Sequence, residues 1–140
     1  MKEVNNIKLY HLTDNLLDDE FIIDDKYDSL INYDLNEREK VLENIRKKEH
    51  NNLISRLHCL YLCDINSVRY WERELERKYI YLLELNGVCF SSYDRFIPKH
   101  YQDLKTMENN AHKYWDNDIV DDYDKEYLFQ GNVKVLKKLI

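Results

Sequence analysis

The chain predicts an α+β fold, and three patterns in it say so. Ile7 to Thr13 (Ile-Lys-Leu-Tyr-His-Leu-Thr) alternates apolar and polar residues with the period of two that a half-buried strand needs. Leu57 to Cys63 and Tyr79 to Leu85 are short unbroken apolar runs, the pattern of strands covered on both faces. Around 36–50, 64–77 and 101–115, apolar residues instead recur at the spacing of a helix packed on one side. No repeat or low-complexity linker interrupts this order, so the elements are expected to share one core in a single domain over 1–140.

Composition narrows the function classes. A length of 140 residues suffices for one core, and 44% apolar residues with twelve tyrosines is too rich for a disordered chain. A net charge of -6 argues against general nucleic-acid binding, which needs a surplus of Lys and Arg. Met1 to Asn6 is too polar for a secretory leader and no apolar run approaches membrane-spanning length, so a soluble cytoplasmic protein is expected. Cys59, Cys63 and Cys89 sit in apolar stretches and read as reduced, buried thiols, which fits that compartment. With Gly87 and Gly131 as its only glycines, the chain can build neither a P-loop nor a glycine-rich dinucleotide turn. A nucleotide would have to be held by another device.

Taken in order, the first strand ends near Thr13 and would aim His11 and Thr13 at the same face, a floor for a pocket. The acidic segment that follows, from Asp14 to Asp28, encloses Phe21, Ile22 and Ile23 as a short strand. Its carboxylate spacing does not match a calcium loop and it lacks the turn glycine, so it reads as solvated. Asp34 or Asn36 then caps a helix reaching His50, with Val41, Leu42 and Ile45 inward and glutamates and basic residues in water. In the strand Leu57 to Cys63, alternation puts Cys59, Tyr61 and Cys63 on one side and His58, Leu60 and Leu62 on the other. That separates His58 from the cysteines and argues against zinc there.

Asp64 should cap a helix to Arg77 that buries Ile65, Val68, Trp71 and Leu75. Gly87 reads as a bend between Tyr79–Leu85 and Val88–Phe90. Pro98 opens a third helix with Tyr101, Leu104, Met107, Ala111 and Trp115 on its inner face, and Asp116 to Asp124 forms a second acidic linker. Finally, Glu126–Gln130 and Val133–Leu139 are expected as two strands joined by a tight turn at Gly131-Asn132. Glu126 leads the first of them and, on pattern alone, would be exposed.

The order of several short motifs resembles the ADP-ribosyltransferase superfamily. They are Tyr-His-Leu-Thr (Tyr10 to Thr13), Ser55-Arg56 before the strand with Leu60-Tyr61-Leu62, Tyr81-Leu-Leu-Glu-Leu-Asn-Gly87 with Asp94 beyond, and Glu126-Tyr-Leu-Phe. The likeness spans nearly the whole chain. It is nearest to small bacterial and phage domains of unknown function, and looser to the short transferases that inactivate rifamycins. The resemblance implies split, strongly bent antiparallel β-sheets flanked by helices, with NAD as substrate in the cleft between them. It also implies catalytic roles for His11, Tyr61 and Glu126: His11 bonds a ribose hydroxyl, Tyr61 packs on nicotinamide, and Glu126 contacts the nicotinamide ribose. Thr13 and Arg56 would support the ribose or pyrophosphate.

Those residue types suit the chemistry. Cleaving the nicotinamide–ribose bond develops an oxocarbenium-like centre that a carboxylate stabilises, as in glycoside hydrolysis. An aromatic ring supplies a flat apolar surface, and arginine supplies a forked donor for pyrophosphate. Three departures stand out. The sequence assigns no second catalytic tyrosine and no serine-rich strand motif, and Asp124, at the offset of an extra acid two positions before Glu126, falls in a linker. The expected function is therefore transfer of ADP-ribose from NAD to an unknown acceptor. The alternative is a catalytically inactive binding or inhibitor module whose acidic loops meet a basic partner.

Overall fold

The computed structural model of the protein describes residues 1–29, 36–97, 103–116 and 122–140. The expectations for Asp34, Pro98, Tyr101 and most of the second acidic linker lie outside the described residues. Five strands, β1 (Lys2–Thr13), β2 (Glu20–Ile23), β3 (Leu60–Leu62), β4 (Tyr79–Tyr93) and β5 (Lys125–Lys138), combine with three helices, α1 (Glu37–Glu49), α2 (Val68–Leu75) and α3 (Leu104–Asp116). A short 3-10 turn, Asp94–Phe96, follows β4. Among the described residues no helix is long and apolar enough to cross a membrane.

All strand pairs are antiparallel, in the order β1-β4-β5-β2. The outer edge of β5 is shared: its first half pairs with β3 (Tyr61↔Leu128) and its second half with β2 (Ile22↔Asn132). Just past β3, Cys63 exchanges both backbone hydrogen bonds with Tyr10 of β1, at 2.8 and 2.9 Å. Through that bridge the circuit β1-β4-β5-β3 returns to β1, which requires a strongly bent sheet.

The bend passes through the two glycines, and here the structure corrects the sequence. Neither a break at Gly87 nor a hairpin at Gly131-Asn132 forms; β4 and β5 are each continuous and pair along their length, with Gly87 opposite Gly131. A Cβ on Gly87 would lie 2.2 Å from the Gln130 carbonyl oxygen, and Gly131 adopts φ +143°. The glycines are needed for close backbone approach within a curved ladder, a signal locally indistinguishable from a turn.

The inner face of the bent sheet holds Leu9, Leu60, Leu62, Leu83, Leu85, Phe129 and Val133. Its outer face packs Cys59, Tyr61, Phe90 and Leu128 against α1 and α3. The alternation expected around Tyr61 therefore holds for Cys59 and Tyr61 against Leu60 and Leu62, while Cys63 joins a separate cluster with Leu12 and Ile80. Asn36 caps α1, its side chain accepting the Glu39 amide at 3.0 Å. Trp115 of α3 donates from Nε1 to the Leu42 carbonyl at 2.9 Å, locking α3 onto α1. In contrast, α2 is shorter than expected and buries no residue fully: Ile65 and Leu75 are exposed, while Val68 and Trp71 cover a small cluster of Leu12, Cys63 and Ile80. The stripe is amphipathic, but a two-turn helix at the edge of the sheet has only one narrow surface to meet.

The three cysteines are buried and unpaired, and burial pushes each thiol up to about 12. Such thiols are unreactive near neutral pH.

Candidate active site

The end of β1, the segment entering β3, β3 itself and the start of β5 converge on a cleft of about 470 Å³. All five residues singled out in the sequence line it: His11, Thr13, Arg56, Tyr61 and Glu126. α1 contributes Arg38 and Glu39, and Trp71, Arg77 and Asp94 complete the wall.

Glu126 is not the exposed strand-leading residue that pattern suggests; it is only 5% exposed. What makes its burial tolerable is Arg56, itself 8% exposed. Arg56 Nη1 donates to Glu126 Oε1 at 2.5 Å and to the Tyr114 hydroxyl at 2.8 Å, while Tyr114 donates to the same Oε1 at 2.7 Å. On its other side Arg56 forks onto Glu39, Nε to Oε2 at 2.9 Å and Nη2 to Oε1 at 3.0 Å. The rings of Tyr61 and Tyr114 lie 5.2 and 5.1 Å from the guanidinium carbon. Tyr61 closes the cluster by donating its hydroxyl to the Arg56 carbonyl at 2.5 Å.

Burial pushes the Glu126 carboxyl above the ordinary carboxylate value, against the opposing pull of Arg56 and the Tyr114 hydroxyl. Burial also works against the charge on Arg56, but Glu126 and Glu39 overcome it and hold the guanidinium firmly protonated. The Tyr61 and Tyr114 hydroxyls are pushed well up, chiefly by burial, and stay neutral as donors. The side-chain hydrogen bonds to Glu126 among the described residues fall on Oε1. One oxygen of a carboxylate that lines the cleft is thus fixed by the protein.

His11 is oriented by a 2.7 Å hydrogen bond between Nδ1 and the Tyr61 carbonyl. A carbonyl can only accept, so Nδ1 carries the proton and the neutral ring offers Nε2 as an acceptor. Burial lowers the His11 pKa more than the carbonyl raises it, and Arg77 lowers it further. Thr13 accepts the Asn15 amide at 3.1 Å, which shapes the chain leaving β1 at the cleft's edge. The same hydrogen bond that sets the His11 ring ties it to Tyr61, so the two act as one wall.

The resemblance implies that Arg56 supports the ribose or pyrophosphate, and in the structure four of its five N–H directions are committed to Glu39, Glu126 and Tyr114. Its role here is to hold two carboxylates. Sequence reading missed two members of this cluster. Glu39 reads as a first-turn acid, but it points inward, as does Glu43 one turn on, which grips Ser55. Tyr114 hides beside Trp115 in an apolar helix stripe. The pairing of Ser55-Arg56 with glutamates spaced i, i+4 was the available signal. Asp124 is also resolved: it is buried and clamped by Arg95, Nε to Oδ2 at 2.9 Å, and fastens the start of β5 to the 3-10 turn.

The molecule is thus an α+β protein with a half-enclosed cleft built around a buried carboxylate, an arginine and a histidine. Over residues 2–140 it matches the family described as protein of unknown function (DUF2441), and it belongs to that family. Among curated proteins, none matches the chain.

Proposed function

We propose that the protein binds NAD in this cleft and cleaves the nicotinamide–ribose bond, transferring ADP-ribose to an acceptor. The observation that carries the reading is the convergence on one cleft of His11, Thr13, Arg56, Tyr61 and Glu126, which come from three separate stretches of the chain. In this reading Nε2 of His11 accepts from a ribose hydroxyl and Tyr61 flanks the nicotinamide. Oε2 of Glu126 faces the positive charge that grows on the ribose as the bond breaks. Arg56 fixes Glu126 in place, and Arg38 and Arg77 are the cations lining the cleft that suit the pyrophosphate.

Calorimetric titration with NAD tests the binding half of the proposal. Saturable one-to-one binding is expected, weakened at least tenfold by His11→Ala. No saturation at millimolar NAD would favour a second reading, a non-catalytic module for a basic partner. One observation speaks for that module: Asp14, Asp18, Asp19, Glu20, Asp24, Asp25 and Asp28 are all exposed, on the segment that also brings Asn15 and Tyr27 to the cleft.

A further inference from the structure

Away from the cleft, the C-terminal ends of α1 and α3 meet, and a second site lies between them. α1 ends in Glu49 with His50 as its cap, and the last turn of α3 carries His112 and Asp116, spaced i, i+4 on one face. The two helices are held there by the Trp115 hydrogen bond to Leu42 and by Ala111, whose small side chain is buried between them. Ligand atoms of Glu49, His50 and His112 all lie within 4.8 Å of one another.

One distance inside this group, and one from it to Asp116, have the size a metal centre sets. His112 Nδ1 is 3.2 Å from Glu49 Oε2, and His50 Nε2 is 3.1 Å from Asp116 Oδ1. Atoms bound at about 2.0–2.1 Å to a tetrahedral ion stand about 3.3 Å apart. The His50 contact is not a hydrogen bond in its geometry, and its Nε2 is buried without a hydrogen-bond partner. A buried imidazole nitrogen without a hydrogen bond is available to bind a cation. The meeting of two helix C-termini adds partial negative charge from both, which further favours a cation.

We propose that Glu49, His50 and His112 form a three-ligand site for a divalent transition ion of the zinc class. Two imidazoles with a carboxylate suit zinc, nickel or copper, whereas magnesium and calcium prefer oxygen alone. The ion would staple α1 to α3. Because α1 also carries Glu39 of the cleft, and α3 carries Tyr114, the staple fixes both helices that hold the buried arginine cluster.

The test uses the full chain without an affinity tag, stripped with a chelator and titrated with zinc sulfate by calorimetry. One zinc per chain is expected, with a raised melting temperature and no response to magnesium. His112→Gln and Glu49→Gln change side chains that are partly or largely in water, 37% and 55% exposed, so both variants should fold. Each should weaken zinc at least tenfold and abolish the thermal shift, with circular dichroism confirming the fold. Absence of zinc uptake by the wild type would overturn the proposal. So would uptake that His112→Gln leaves unchanged, which would put the metal elsewhere.

Discussion

Two arginines in this molecule each bridge a pair of acids, and both pairs reach the start of β5. Arg95 holds Asp122 and Asp124, while Arg56 holds Glu39 and Glu126, two residues further along. The contacts are alike, but the Arg95 side chain is 42% exposed whereas that of Arg56 is 9% exposed. In the first cluster the Asp122 contact is screened by water, while the buried Asp124 also accepts the Arg95 backbone amide at 2.9 Å, so the cluster fastens the 3-10 turn after β4 to the start of β5. The second sits where every charge must be answered, and all three of its members line a cleft. The same residue types thus do different work according to solvent access.

This contrast can be broken by mutation. Arg56→Met should cost about 3–5 kcal/mol in urea denaturation, because it strands two buried carboxylates. Glu39→Gln should cost less, about 1–3 kcal/mol, and should couple to Glu126→Gln in a double-mutant cycle, since both share Arg56. Additive losses would show that the two acids do not act through one arginine. Arg95→Met should cost less than Arg56→Met, about 1–3 kcal/mol, because it strands one buried acid, Asp124, which keeps the backbone amide of residue 95 as a donor. A loss equal to that of Arg56→Met would erase the distinction between the clusters.

The smallest expected effect is a pH dependence at His11. Its folded pKa lies below the ordinary 6.5, so the unfolded chain takes up the proton more readily. Stability from this group is present above 6.5 and is lost as pH falls from there toward the folded value. Denaturation between pH 7.5 and about 5 should show that decline. His11→Gln, which cannot titrate, should flatten part of it.

Much of the fold is legible in the sequence because strand and helix periods are local signals. The end of β1, the alternation around Tyr61 and the Asn36 cap of α1 all follow from neighbours a few residues apart. The glycines mislead because Gly131-Asn132 has the composition of a turn, and only pairing with Gly87, more than forty residues away, shows that the requirement is close approach. Burial of Glu126 is likewise nonlocal: nothing in Glu-Tyr-Leu-Phe announces that Arg56, Tyr114 and Glu39 will surround it. His11 and Tyr61 stand out as residues, but the hydrogen bond joining them depends on the bridge that closes the sheet.

The central claim is that Oε2 of Glu126 faces a developing cation in bound NAD. Its most direct test is nicotinamide release from NAD by the wild type and by Glu126→Gln, with NAD binding and folding measured on both. The account predicts release by the wild type that falls about 10²–10³-fold in the variant while binding and fold persist. Release that survives the substitution unchanged would contradict it.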